Sequence, residues 1–132
     1  MSKTVVVIDD SAFLIKQVAS FFKNELQFEV LATGKDGNDA VALYEKHQPD
    51  LITLDITMPN KNGEQAMEEI LSNFPDANIL MISAVRGNAI LECMHKGAKG
   101  YIEKPLKFND AEFIKDFKET ILEIFKGKGE LV

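Results

Sequence analysis

A single cysteine, Cys93, is all the thiol this chain carries, and tryptophan is absent. One thiol closes no internal disulfide and builds no zinc site, which excludes disulfide scaffolds and points to a reducing compartment, the cytoplasm. With 4 Pro and 8 Gly among 132 residues, collagen-like and linker-rich chains are excluded as well. Long apolar runs are missing, since Thr4–Ile8 and Asn78–Ile82 fall far short of the roughly 20 residues a membrane span needs. Nothing at Met1-Ser2-Lys3 reads as a secretory or transit signal. Basic charge is scarce: 15 Lys+Arg stand against 21 Asp+Glu, for a net charge of -6. A nucleic-acid surface needs clustered cations, and Lys126 with Lys128 does not make one.

What is present is a 45% hydrophobic chain of single-domain length. Residues 1–132 read as one domain, with 4–125 as its core and 126–132 as a short, loosely ordered tail. Five short apolar runs recur, at Thr4–Ile8, Phe28–Ala32, Leu51–Leu54, Asn78–Ile82 and Gly100–Ile102. The first, third and fourth are continuous rather than alternating, as in strands buried on both faces. Helix-length segments follow each, over Ser11–Asn24, Gly37–His47, Glu64–Asn73, Gly87–Lys96 and Asn109–Phe125. This alternation predicts an α/β fold, a parallel sheet with helices on both faces. The punctuation agrees. Asp10 or Ser11 can cap the first helix, Asn62-Gly63 signals a turn before the third, and Gly97 ends the fourth.

In such a sheet, reactive side chains gather at the carboxyl ends of the strands. Those ends carry Asp9 and Asp10, then Asp55, then Ser83, then Lys104-Pro105. Two like charges about 4 Å apart cost on the order of 4 kcal/mol at an effective dielectric near 20, so either some of the three carboxylates protonate or a cation resolves the conflict. All-oxygen ligands suit Mg2+ best. Lys104 adds a second positive charge and Ser83 a hydroxyl donor, a set able to support attack by a carboxylate on phosphorus.

The runs Val7-Ile8-Asp9-Asp10-Ser11, Pro49 to Pro59 around Asp55, Met81-Ile82-Ser83-Ala84 and Gly97 to Pro105 resemble, in order and spacing, a bacterial response-regulator receiver domain. The resemblance spans Thr4 to about Phe125 and is nearest to stand-alone chemotaxis-type receivers. It implies a flavodoxin-like (βα)5 three-layer sandwich with strand order 2-1-3-4-5. It also implies that Asp55 is the phosphoacceptor, charged by a sensor histidine kinase, and that Mg2+ is held by Asp9, Asp10, Asp55 and the Thr57 backbone carbonyl. Lys104 would pair with Asp55 and then with its phosphate, and the Lys104-Pro105 bond would be cis. Ser83 would swing toward the phosphoryl group, and Tyr101 would change rotamer as that pocket empties. The output face would be helix four, strand five and helix five, binding a downstream protein, with the chain a monomer or a phosphorylation-dependent dimer. On this reading the chain is a signalling protein rather than an enzyme, and its end soon after the fifth helix favours a stand-alone regulator over a receiver of a longer regulator or a phosphorelay intermediate.

Two departures from the family pattern stand out. The interval from Ser83 to Gly97 is one residue short, so the loop or fourth helix is trimmed. The positions two residues after Asp55 and after Ser83, which tune dephosphorylation, hold Thr57 and Val85. Thr57 can orient water only weakly and Val85 not at all, so a phosphoryl state longer-lived than in receivers with an amide or acid there is expected.

Simpler readings apply elsewhere. Asp9-Asp10 alone is a solvated strand end with a helix cap, and Tyr101 alone a half-buried packing residue. His47 and His95 read as helix-end residues favoured by the dipole. Cys93 and Met94 read as core-facing. The apolar face of the first helix runs Leu14, Val18, Phe21 and Phe22, leaving Phe13 and Ile15 as flanking core or as a patch for a kinase's phosphotransfer domain. A metal-dependent phosphohydrolase would need a second acid where Thr57 stands, and a flavin carrier a hydroxyl-rich loop where Asp9-Asp10-Ser11 stands.

Overall fold

The computed structural model describes residues 2–85 and 87–126. The expected tail therefore lies outside the described residues, apart from Lys126. Strands β1 (Thr4–Ile8), β2 (Glu29–Gly34), β3 (Leu51–Leu54), β4 (Ile79–Ser83) and β5 (Gly100–Glu103) alternate with helices α1 (Ala12–Glu25), α2 (Gly37–His47), α3 (Gly63–Asn73), α4 (Asn88–Lys96) and α5 (Ala111–Lys126). The strands form one sheet in the order β2-β1-β3-β4-β5, and every pairing is parallel. This is the flavodoxin-like order, with a topological switch between β1 and β3. Among the described residues, no helix is long and apolar enough to cross a membrane.

The continuous apolar runs are explained by what covers each face. Successive strand residues point to opposite sides. Val5 and Val7, Leu51, and Leu80 and Ile82 pack with Val18, Phe21 and Phe22 of α1 and Phe117, Ile121 and Phe125 of α5. Val6 and Ile8, Ile52 and Leu54, and Ile79 and Met81 pack with Ala40 and Tyr44 of α2, Met67 and Ile70 of α3, and Cys93 of α4. Each such fully buried Val, Leu or Ile side chain contributes roughly 1.5–3 kcal/mol. The α1–α5 side is aromatic, with the Phe117 ring 4.5 Å from that of Phe21 and 5.9 Å from that of Phe22.

Helices α1, α2 and α3 begin on side-chain caps. Ser11 accepts from the Leu14 amide, Asp36 from the Asp39 amide, and Asn62 from the Gln65 amide in a reciprocal capping box. Helix α4 has no such cap at Gly87, and it ends at Gly97 with φ 123°, a conformation that an L side chain rarely adopts.

Three expectations need correction. Ile15 is core, while Leu14 is only half-buried, because the α1 stripe that meets the sheet runs Ile15, Val18, Phe21 and Phe22. Phe13 is the exposed one, at 68%. Met94 faces out, at 41%, although its neighbour Cys93 is fully buried. The second strand begins at Glu29 and runs on to Gly34, because it follows β1 to its last residue, Ile8, and beyond, where the Asp9 amide donates to the Gly34 carbonyl at 3.1 Å.

Candidate functional site

Asp9 follows the last residue of β1 and Asp55 that of β3, the two strands flanking the switch point, and both carboxylates are buried. Asp10, one residue on, is exposed. Oxygens of Asp9, Asp10 and Asp55 lie within 4.8 Å of one another. Lys104, just past β5, reaches into this group, with its Nζ 2.8 Å from Asp9 Oδ2 and 3.0 Å from Asp55 Oδ2. Its backbone amide donates to the Ser83 carbonyl at 3.0 Å, so pairing between β4 and β5 sets where the ammonium enters. The Lys104-Pro105 bond is cis.

Each buried carboxylate keeps one oxygen for Lys104 and gives the other to a backbone amide. Asp9 Oδ1 accepts from Ser11 at 3.0 Å, and Asp55 Oδ1 accepts from Thr57 at 3.3 Å. Burial pushes the Asp9 carboxyl above its usual range, against the pull of the Lys104 hydrogen bond. Burial works against the charged Lys104 too, but its two carboxylate partners carry its pKa above the ordinary lysine value. One ammonium thus serves two buried anions with a third beside them. That excess negative charge, presented on hard oxygens only, fits Mg2+.

Ser83 and Tyr101 form the other side of the rim. The Ser83 hydroxyl is buried and accepts from the Val85 amide at 3.4 Å. Tyr101 is half-buried, and its hydroxyl donates to the Val85 carbonyl at 2.5 Å. Burial pushes the Tyr101 phenol up, against a hydrogen bond with the Ser83 side chain. Val85 packs against the core with its side chain half-buried, whereas Thr57 is exposed.

All the residues expected at this rim therefore stand on it, in a three-carboxylate, one-lysine group with a Ser83–Val85–Tyr101 group beside it. His47 and His95 sit in the last turns of α2 and α4, away from the group. Two contacts were missed: Asn60 Nδ2 donates to Asp36 Oδ2 at 2.7 Å, and the Gly37 amide donates to the Lys61 carbonyl at 2.8 Å. Asp36-Gly37 could have been read as a helix start, but pairing with Asn60, 24 residues away, leaves no local signal.

Comparison with known proteins agrees with this geometry. The chain matches the model of the response regulator receiver domain over residues 5–115. It is 36% identical to chemotaxis protein CheY of Thermotoga maritima, over 81% of this chain and 89% of that protein. It is 42% identical, over 80% of its length, to a protein-glutamate methylesterase/protein-glutamine glutaminase of Methanococcus maripaludis, but spans only 30% of that protein. In structure it is similar to a chain of the CheX–CheY–BeF3–Mg2+ complex from Borrelia burgdorferi, with a TM-score of 0.85, 33% identity, and 93% of this chain and 89% of that one covered. With the sheet order, the acidic rim and the family match in agreement, the chain belongs to the response-regulator receiver domains.

Proposed function

We propose that the chain is a phosphorylation-activated switch that accepts a phosphoryl group on Asp55 from the phosphohistidine of a sensor histidine kinase. The observation that carries this reading is Lys104 Nζ bridging Asp9 and Asp55 at 2.8 and 3.0 Å beside the exposed Asp10. Asp55 is the one member of the cluster that ends a strand at the centre of the sheet. An oxygen of Asp55 attacks phosphorus in line, the O–P bond forms as the N–P bond breaks, and the imidazole leaves with the electron pair and takes up a proton. Asp9, Asp10, Asp55 and the Thr57 carbonyl would hold Mg2+, which when bound neutralises charge on the phosphoryl oxygens. Lys104 then pairs with the phosphate, and Ser83 donates its hydroxyl to it.

The new group brings about −1.5 to −2 charge next to the Ser83–Val85 turn. Because Tyr101 grips the Val85 carbonyl, movement of that turn reaches β5 and the start of α4. The downstream partner then meets the face of α4, β5 and α5, where Leu91 and Met94 of α4 are exposed. Phe13, exposed beside the acidic rim, suits contact with the phosphodonor. We read 1–132 as one domain acting in the cytoplasm as a chemotaxis-type regulator, a monomer or a phosphorylation-dependent dimer, and not as an enzyme acting on a metabolite. The likeness to CheY proteins over most of their length supports a stand-alone role. The 42% likeness to a much longer methylesterase supports a second reading, the receiver of a larger regulator.

The test is incubation with acetyl phosphate and Mg2+ followed by intact-mass measurement. A single phosphoryl adduct on the wild type and none on Asp55→Asn is expected. An adduct that persists on Asp55→Asn, or none on either protein, overturns the proposal.

A further inference from the structure

The segment 56–62 between β3 and α3 carries Thr57, whose amide touches Asp55 Oδ1 at 3.3 Å. Its foot is closed by the Gly63 amide donating to the Ile56 carbonyl at 2.8 Å. Its apex is tied to the first turn of α2 rather than to the sheet. Asn60 has φ 65°, and its Nδ2 donates to Asp36 Oδ2 at 2.7 Å. One residue on, the Lys61 carbonyl accepts from the Gly37 amide at 2.8 Å, with the backbones so close that a Cβ on Gly37 would sit 2.2 Å from that oxygen.

Asp36 is itself committed. Its Oδ1 caps α2 by accepting from the Asp39 amide at 2.8 Å, while Oδ2 takes Asn60. These bonds, the Asp39 amide first, hold its carboxyl below the usual carboxylate range. The helix behind it is anchored through Ala40, Val41 and Tyr44 in the core. A segment without regular structure thus leans on a fixed helix start through one side-chain pair and one backbone pair.

We propose that Asp36 and Asn60 are positioning residues. By clamping the loop apex to α2 they fix the Thr57 backbone, and with it the Asp55 carboxylate orientation and the Mg2+ site. Neither side chain touches the reacting atoms. The inference rests on the acidic rim being a Mg2+ site, as proposed above.

Three variants test it: Asn60→Gly, which tolerates the positive φ but deletes the amide; Asp36→Ala; and Asp36→Asn, which keeps a capping oxygen and can pair with a rotated Asn60 amide. Mg2+ affinity by calorimetry is compared with hydrogen exchange at the Thr57 amide and the thermal unfolding midpoint, both without Mg2+. Asn60→Gly and Asp36→Ala are expected to weaken Mg2+ by about 10-fold, the low end of what partners outside the ligand shell carry. Thr57 exchange should quicken in both, and Asn60→Gly should unfold near the wild-type temperature, since the lost bond is exposed. Asp36→Asn should recover most of the affinity. If Asp36→Asn is as weak as Asp36→Ala, the charge of Asp36 acts rather than its position, and the inference fails. Wild-type affinity and Thr57 exchange in Asn60→Gly also sink it. A wild type that binds no Mg2+ removes the metal reading instead, and leaves the clamp to be judged on Thr57 exchange.

Discussion

The Tyr101 hydroxyl donates to the Val85 carbonyl at 2.5 Å, joining β5 to the turn that follows β4. Tyr101 faces Met81 across the strand pair, so its ring lies on the same side of the sheet as α4, and its oxygen closes over the chain that leads into that helix. Helix α4 begins without a side-chain cap at Gly87, and this bond restrains the chain that leads into it.

Tyr101→Phe removes the donor and keeps the ring. A net loss of about 1 kcal/mol is expected, with faster amide exchange across residues 84–90. Chemical denaturation with an unchanged m-value checks the first part. Exchange at wild-type rates would show that the hydroxyl does not restrain the turn.

If Asp55 carries a phosphoryl group as proposed, the two positions expected to tune its lifetime hold Val85, whose half-buried side chain packs against the core, and exposed Thr57, which offers only a hydroxyl. Val85→Glu should therefore hasten the Mg2+-dependent decay of phosphorylated protein several-fold, followed by intact mass over time. Equal decay rates in the two proteins would remove this residue from the control of lifetime.

Asp9 has a folded-state pKa above its ordinary 3.8, chiefly because it is buried. The folded state therefore takes up this proton before the unfolded one. Its favourable contribution is present in full below 3.8 and is lost as pH rises through the folded value. Asp9→Asn, which cannot ionise, should raise the melting temperature of the metal-free protein at pH 7. The gap from wild type should narrow as pH falls toward 3.8. A gap that widens on acidification would mean that the Lys104 pair outweighs burial.

Phe117 is fully buried among Phe21, Phe22, Phe108 and Phe113 on the α1–α5 side. Phe117→Ala should cost about 3–5 kcal/mol, as large aromatic truncations in packed cores do, read from the denaturation midpoint. A loss under about 1 kcal/mol would mean that neighbouring rings collapse into the gap.

Much of this molecule is readable locally. Continuous apolar strands, cap residues such as Ser11 and Asn62, and Asp or Lys at strand ends are signals written within a few residues of the feature they specify. Continuous apolar runs alternating with helix-length segments placed the sheet and the helices, and the residues at the strand ends placed the acidic rim. The rest depends on which faces meet. Leu14 and Ile15 are equally apolar neighbours, and the packing of α1 over β1 and β2 chose Ile15 for burial. Cys93 and Met94 were divided in the same way by the docking of a 9-residue α4. The clamp between Asp36 and Asn60 exists because the β2–α2 and β3–α3 loops both emerge at the carboxyl ends of the parallel strands, and no periodicity along the chain encodes that meeting. Local chemistry specified which groups this protein owns, and the parallel sheet, by bringing distant strand ends together, decided which of them touch.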